Sequence, residues 1–316
     1  MLLHIVTQEE DGLVLLSFLK EHLRLSRGEI LRLKAREDGI LLDGVRVTVR
    51  AVLHRGQTLR LSADDRAEDG GSPIAPVALP LSILYEDEDI CLCNKSGNMP
   101  THPSHGHHTD TLANALAYHY RGRPFVFRAV QRLDRETSGV VLTARSSFAA
   151  ALLSRALVTG EMEKEYLAVV YGTPPERGEI TLPIRRAPNS IMLREVCGAD
   201  DEGAQSAVTR YRRLATDGKY SLVWVSPITG RTHQIRVHMT AIGHPLCGDS
   251  LYGDNEDEFT RCALHACRLT FPHPRTGERM SVTAPPPEDI TLPLSDPLRA
   301  ALTAFFASSE TAHDEA

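Results

Sequence analysis

Apolar residues recur in this chain with two different periods. Leu15, Leu16, Leu19 and Leu23 follow helical spacing, and Ser26 with Glu29 three residues on reads as a capping box opening a second helix that carries Ile30, Leu31 and Leu33 inward. Strand-like stretches follow at "GILLDG", "VRVT" and "QTLRLS", with Gly44 and Gly56 as turn residues. Further on, residues 83–85 and 90–93 read as two strands joined by an acidic turn. Thr109 or Asp110 would cap a helix bearing Leu112, Ala115, Leu116 and Tyr120. Residues 139–143 read as a buried strand and 147–158 as a helix, and "KEYLAVVYG", "YSLVWVSP" and "CALHACRLTF" read as strands. The stretch around "HQIRVHM" is also expected to be extended, at a sheet edge. Alternation there would put His233 with Ile235 and Val237 on one side, and Gln234, Arg236 and His238 on the other. Strands and helices mix without regular βαβ alternation, so the pattern predicts an α+β fold.

The pattern breaks at residues 63–80, "ADDRAEDGGSPIAPVALP", where acidic residues, paired glycines and prolines leave nothing periodic to bury. This predicts a linker between a small module, residues 1–62, and a body, residues 81–295. Residues 296–316 are expected to form a terminal helix or a frayed acidic tail.

Composition narrows the partners. At 316 residues, 42% hydrophobic and 24% charged, the chain is an ordinary globular one, and its net charge of −6 gives no bulk attraction to nucleic acid. Basic residues are nevertheless concentrated locally: Lys20, Arg24, Arg27, Arg32, Lys34 and Arg36 stand against only Glu21 and Glu29 in the first helical pair. Such a run is most often a solvated helix face. The six cysteines include no Cys-x-x-Cys pair, which argues against a zinc ribbon and for reduced thiols. No signal-peptide pattern or membrane-length apolar run is present, so a cytoplasmic location without membrane attachment is expected.

Common catalytic signatures are missing: there is no Gly-x-Gly-x-x-Gly after a strand, Walker-type loop, His-Glu-x-x-His or Gly-x-Ser-x-Gly. The histidines of "THPSHGHH" (His102, His105, His107, His108) lack the carboxylate or cysteine company of a metal site and read as a polar loop, so no metal is expected. What remains is "QRLDRETSGVVL" at residues 131–142. Taken alone, Asp134 there is a salt-bridged turn residue or a reactive carboxylate. A buried Arg236 would demand a carboxylate, and Asp134 is one candidate.

Together, Arg132-Leu133-Asp134-x-x-Thr137-Ser138-Gly139, "KEYLAVV" and "GRTHQIRVH" resemble the aspartate, tyrosine and arginine motifs of the RluA-type pseudouridine synthases, in the expected order. The resemblance runs over residues 80–290. Gln131 departs from it, since the family commonly has histidine before the Arg-Leu-Asp. Residues 12–62 resemble the S-four-type RNA-binding module found in RNA-modifying enzymes. The likeness implies a catalytic domain with a mixed, largely antiparallel sheet and a basic cleft, preceded by a small α/β RNA-binding module. It implies isomerisation of uridine to pseudouridine without a cofactor, by a monomer, with ribosomal RNA favoured as partner over transfer RNA. In that reading Asp134 is the catalytic carboxylate, Arg236 its ion-pair partner, and Tyr166 the ring beside the uracil. Arg132 would fill the gap left by a flipped base, and Arg135, Thr137, Arg231, His233, Gln234, Arg24, Arg27, Arg32 and Lys34 would hold RNA. The competing reading is an RNA-binding protein without catalysis on the same scaffold.

Overall fold

A computed structural model describes residues 2–23, 25, 27–62, 74–253 and 258–310. Arg24, the expected cap Ser26, most of the linker, residues 254–257 and the last six residues lie outside the described residues.

Residues 2–61 build a four-stranded antiparallel sheet in the order β1-β4-β2-β3 from β1 (Leu2–Ile5), β2 (Ile40–Leu42), β3 (Val45–Arg46) and β4 (Thr58–Leu61). The leucine-rich helix is shorter than its spacing suggests. It runs as α1 (Leu15–Ser17) and then one wide turn, Phe18–His22, closed by Leu23 N–H donating to Phe18 O at 3.0 Å. In α2 (Arg27–Ala35), Ile30 and Leu33 turn inward as expected, but Leu31 is exposed. Phe18, Leu19, Ile30, Leu33, Leu53 and Leu59 form a core belonging to this part of the chain.

The body is a nine-stranded sheet. Its strands are β5 (Ser82–Glu86), β6 (Ile90–Lys95), β7 (Ser138–Ala144), β8 (Glu163–Tyr171), β9 (Arg177–Ile180), β12 (Thr209–Thr216), β13 (Tyr220–Pro227), β14 (Leu264–Pro272) and β15 (Arg279–Thr283); β10 (Ile184–Arg186) and β11 (Arg194–Val196) form a separate hairpin. The order is β5-β6-β7-β14-β8-β13-β12-β9, with β15 on the far half of β14. Every pairing is antiparallel except that of β7 with β14, so the sheet is mixed and largely antiparallel.

Both faces of the central strands β6, β7, β8, β13 and β14 are largely covered, which is why these strands read as near-continuous apolar runs. Cys91, Cys93, Val141, Tyr166 and Ala168 point to one face, against α3 (Leu112–His119) and α5 (Gln234–Ala241). Ile90, Leu92, Val140 and Leu142 point to the other, against Ala149 and Leu153 of α4 (Ser147–Thr159). Leu167, Val169 and Leu222 meet α6 (Glu288–Thr291) and α7 (Asp296–Glu310), so the chain is helical through residue 310. Full burial gives each large aliphatic side chain in these strands roughly 1.5–3 kcal/mol of transfer free energy. The helix cap is Thr111, whose hydroxyl accepts from Asn114 N–H, one residue beyond Asp110.

The largest departure from expectation is residues 234–241, which are helical and not an edge strand. Gln234, Ile235, Arg236, Val237, His238 and Met239 are all buried, because this helix is wedged between the sheet and the β10–β11 hairpin. Burial on every side erases the helical period. The stop at Gly243, followed by Pro245, was the remaining helix signal.

Candidate active site

Residues 128–137 lead up to β7 and double back upon it. Val130 N–H donates to Leu142 O and Ala144 N–H to Arg128 O, at 2.9 and 2.8 Å. The reversal is closed by Thr137 N–H donating to Asp134 O at 3.2 Å. Side chains from three other places take up the neighbouring carbonyls. Thr101 Oγ1 donates to Leu133 O (3.0 Å), Lys95 Nζ to Arg135 O (3.2 Å), and Arg261 Nη1 to Glu136 O (2.7 Å). Four consecutive carbonyls, 133 to 136, are thus satisfied, three of them by side chains that are themselves buried. The Asp134 carboxylate projects from this fixed backbone, with 27% of its side chain exposed.

The supports are themselves buried. Arg261 is gripped by both oxygens of Asp289 at 2.7 Å and also donates to Ser138 Oγ, which bonds His265 Nδ1 at 2.9 Å. His265 Nε2 donates to Ala284 O, and burial brings its pKa down to about 4. Lys95 donates also to Ser96 O and Met99 O; burial, then the charge of Arg261, brings its pKa down to about 7, opposed by Asp134. Gly139 is required where the turn enters β7: its φ is +116°, and a Cβ there would lie 2.2 Å from Ala266 O across the parallel pairing.

Opposite Asp134 stands the first half of α5. Arg236 Nη1 lies 3.9 Å from Asp134 Oδ2, but its tight partner is Asp249, engaged through both fork positions at 2.8 and 2.6 Å. The expected pairing with Asp134 is therefore secondary, and Asp249 was missed. A fully buried guanidinium needs a bidentate carboxylate, and the 27%-exposed Asp134 is left available. Burial opposes the charge of Arg236, while the Asp249 carboxylate outweighs it and holds the guanidinium above its ordinary pKa. Glu136 Oε2 approaches the same guanidinium at 3.6 Å. His233 adopts a left-handed conformation (φ 57°) at the start of α5 and faces Asp134 Oδ1 from 4.0 Å. Tyr166, buried in β8, has its phenol pKa pushed up by burial and by the charge of Asp134.

The remaining expected residues divide by exposure. Arg132, Arg135 and Arg231 are exposed around the turn and the helix start, and Arg27, Arg32 and Lys34 are exposed on or near α2. Thr137 and Gln234 are buried, at 2% and 4% exposure, and present no surface to an RNA. Gln234 instead accepts from Arg231 N–H and donates to Val208 O and Thr209 Oγ1, fixing the turn ahead of α5. Gln131 turns inward and donates to Val140 O at 3.3 Å. Among the described residues, Asp87, Asp89 and His273 come close enough to share a cation, but Asp87 bonds His273 (2.8 Å) and Asp89 pairs with Arg275 (2.5 Å).

The 27%-exposed carboxylate of Asp134 has the buried Arg236 guanidinium and the His233 imidazole at 3.9 and 4.0 Å, and the buried Tyr166 phenol lies near enough to feel its charge. That set can hold an anion beside a reacting sugar carbon and stack or hydrogen-bond a base. A profile of the RNA pseudouridylate synthase family matches residues 89–241. Two proteins of Bacillus subtilis named uncharacterised RNA pseudouridine synthases are 39% and 35% identical, over 79% and 90% of this chain and 87% and 94% of theirs. A ribosomal large subunit pseudouridine synthase D of Zymomonas mobilis is 35% identical over 69% of this chain and 73% of its own. The solved structure of human RNA pseudouridylate synthase domain containing 1 is similar with a TM-score of 0.57 and 30% identity, covering 72% of this chain and 95% of that one. The chain belongs to the RluA-type pseudouridine synthases. It is an RNA-modifying isomerase. Among the described residues, no helix is long and apolar enough to cross a membrane.

Proposed function

We propose that this enzyme isomerises uridines of large-subunit ribosomal RNA, with Asp134 as the carboxylate acting at the sugar C1′. The observation that carries the role of Asp134 is its presentation: its backbone is pinned by buried donors on all sides while its carboxylate remains accessible opposite Arg236. A carboxylate so held stays oriented through the departure of N1, the rotation of the base and its return through C5. Tyr166 supplies a ring for the uracil, and its raised phenol pKa keeps the hydroxyl protonated as a hydrogen-bond donor. Arg132 takes the stacking position vacated by the flipped nucleotide, and Arg135 and Arg231 hold phosphates beside it.

Ribosomal RNA is favoured because several relatives carry the large-subunit name. Residues 2–61 act as an S-four-type module, with Arg27, Arg32 and Lys34 meeting the phosphate backbone. The test is pseudouridine mapping by carbodiimide modification and primer extension, in cells with and without the gene. At least one large-subunit site is lost without it, returns with the wild-type gene, and fails to return with Asp134→Asn. Loss confined to transfer RNA would overturn the substrate assignment, and rescue by Asp134→Asn would overturn the role of the carboxylate.

A further inference from the structure

Tyr252 touches every group that faces Asp134 from α5. Its ring centroid lies 5.2 Å from the guanidinium carbon of Arg236. Its hydroxyl lies 2.8 Å from His233 Nδ1, and the same oxygen accepts the Arg194 N–H of β11 at 2.9 Å. Its backbone N–H, with that of Leu251, donates to Asp249 Oδ1, the carboxylate that holds Arg236. The ring is packed against Ile184, Ala207 and Val237, between α5 and the hairpin.

These contacts restrict the imidazole. A phenol oxygen carries one proton, and the Arg194 amide can only donate to it. If Nδ1 also donated, the phenol proton would be left without either of these partners, and the bare Nε2 lone pair would face the Asp134 carboxylate. If the phenol donates to Nδ1, both contacts are satisfied and the imidazole proton sits on Nε2, 4.0 Å from Asp134 Oδ1. Electrostatics favour the second arrangement, because an N–H dipole then points at an anion. Burial lowers the His233 pKa; Asp134 opposes this, and Arg236 and Arg194 reinforce it.

We propose that Tyr252 is a positioning residue of the active site: its hydroxyl fixes the His233 tautomer so that an Nε2–H faces Asp134, while its ring steadies Arg236. The carboxylate is then flanked by two donors set by one tyrosine, which is itself tied to the β10–β11 hairpin through Arg194. This rests on the reading of Asp134 as the reacting carboxylate.

The direct test is two-bond nitrogen–proton correlation on histidine-labelled full-length protein, with the His233 signals identified by their loss in His233→Gln. In the wild type, Nε2 carries the proton and Nδ1 does not. In Tyr252→Phe, which keeps the ring, the proton redistributes between the two nitrogens, kcat falls about tenfold and KM stays within about twofold, as expected for one lost hydrogen bond. Tyr252→Leu removes the ring as well and costs more activity. A wild-type proton on Nδ1 would overturn the proposal, as would a Tyr252→Phe enzyme with unchanged tautomer, whatever its melting temperature. Activity retained in Asp134→Asn would count against the carboxylate reading alone, since the tautomer is measured without turnover.

Discussion

The turn at residues 131–138 and the helix α2 carry charge in opposite ways. In the turn, the partly exposed carboxylate of Asp134 stands on a backbone fixed by Thr101, Lys95 and Arg261, each buried to 4% exposure or less. On α2, Arg27, Arg32 and Lys34 stand exposed above a small apolar core. Buried partners act at short range where salt does not reach, whereas exposed cations act over about a Debye length and are screened. One region is built to hold a single carboxylate in one place, the other to attract a polyanion without fixing its register.

The comparison breaks most severely at the buried pair. Arg236→Met strands the Asp249 carboxylate, which no solvent reaches, and should cost roughly 3–5 kcal/mol in urea or thermal unfolding. Adding Asp249→Asn should recover part of that stability but not activity, because the guanidinium that faces Asp134 Oδ2 is then gone and only His233 remains opposite the carboxylate.

The next effect is on acid stability. The pKa of His265 lies at about 4 in the folded protein and 6.5 in its absence, so the unfolded chain takes up a proton first as pH falls. Its contribution is fully present above 6.5 and lost on the way down to about 4, a difference of roughly 3 kcal/mol. Denaturant unfolding across that window should show the slope, and His265→Gln should flatten it.

The smallest effect belongs to α2 and sharpens the contrast. The triple variant Arg27→Ala, Arg32→Ala, Lys34→Ala should raise KM about tenfold at low salt with kcat unchanged, and should lower the slope of log affinity against log salt by about 2–3. The variant and wild type should converge as salt rises. A change in kcat, or a salt-independent loss, would place these residues elsewhere in the account.

How far the sequence could be read follows the same division. Strands buried on both faces were legible as apolar runs, and Asp134, Tyr166 and Arg236 as parts of three motifs in order. Residues 234–241 were misread because burial all round gives a helix the same unbroken pattern as a strand. Gln234 looks like a polar contact in the sequence and proves to be an internal tie, and Thr137, in the turn before β7, is buried as well. Asp249 and Tyr252 lie in "HPLCGDSLYG", residues 244–253, but nothing in their spacing says that the chain returns them to Arg236 and His233 at α5. Lys95 and Arg261 were equally silent, since their partners are backbone carbonyls 40 and 125 residues away in sequence. Tertiary hydrogen bonds to main-chain atoms leave no residue pattern.

The central claim is that a pinned turn presents Asp134 to the sugar. It is tested most directly by single-turnover assay of purified Asp134→Asn and wild-type enzyme on large-subunit ribosomal RNA labelled at uracil C5 with tritium, alongside RNA affinity. The account predicts no tritium release from the variant above background, with affinity within a few-fold of wild type, since the phosphate-holding groups are untouched. Tritium release from Asp134→Asn at the wild-type rate would contradict it.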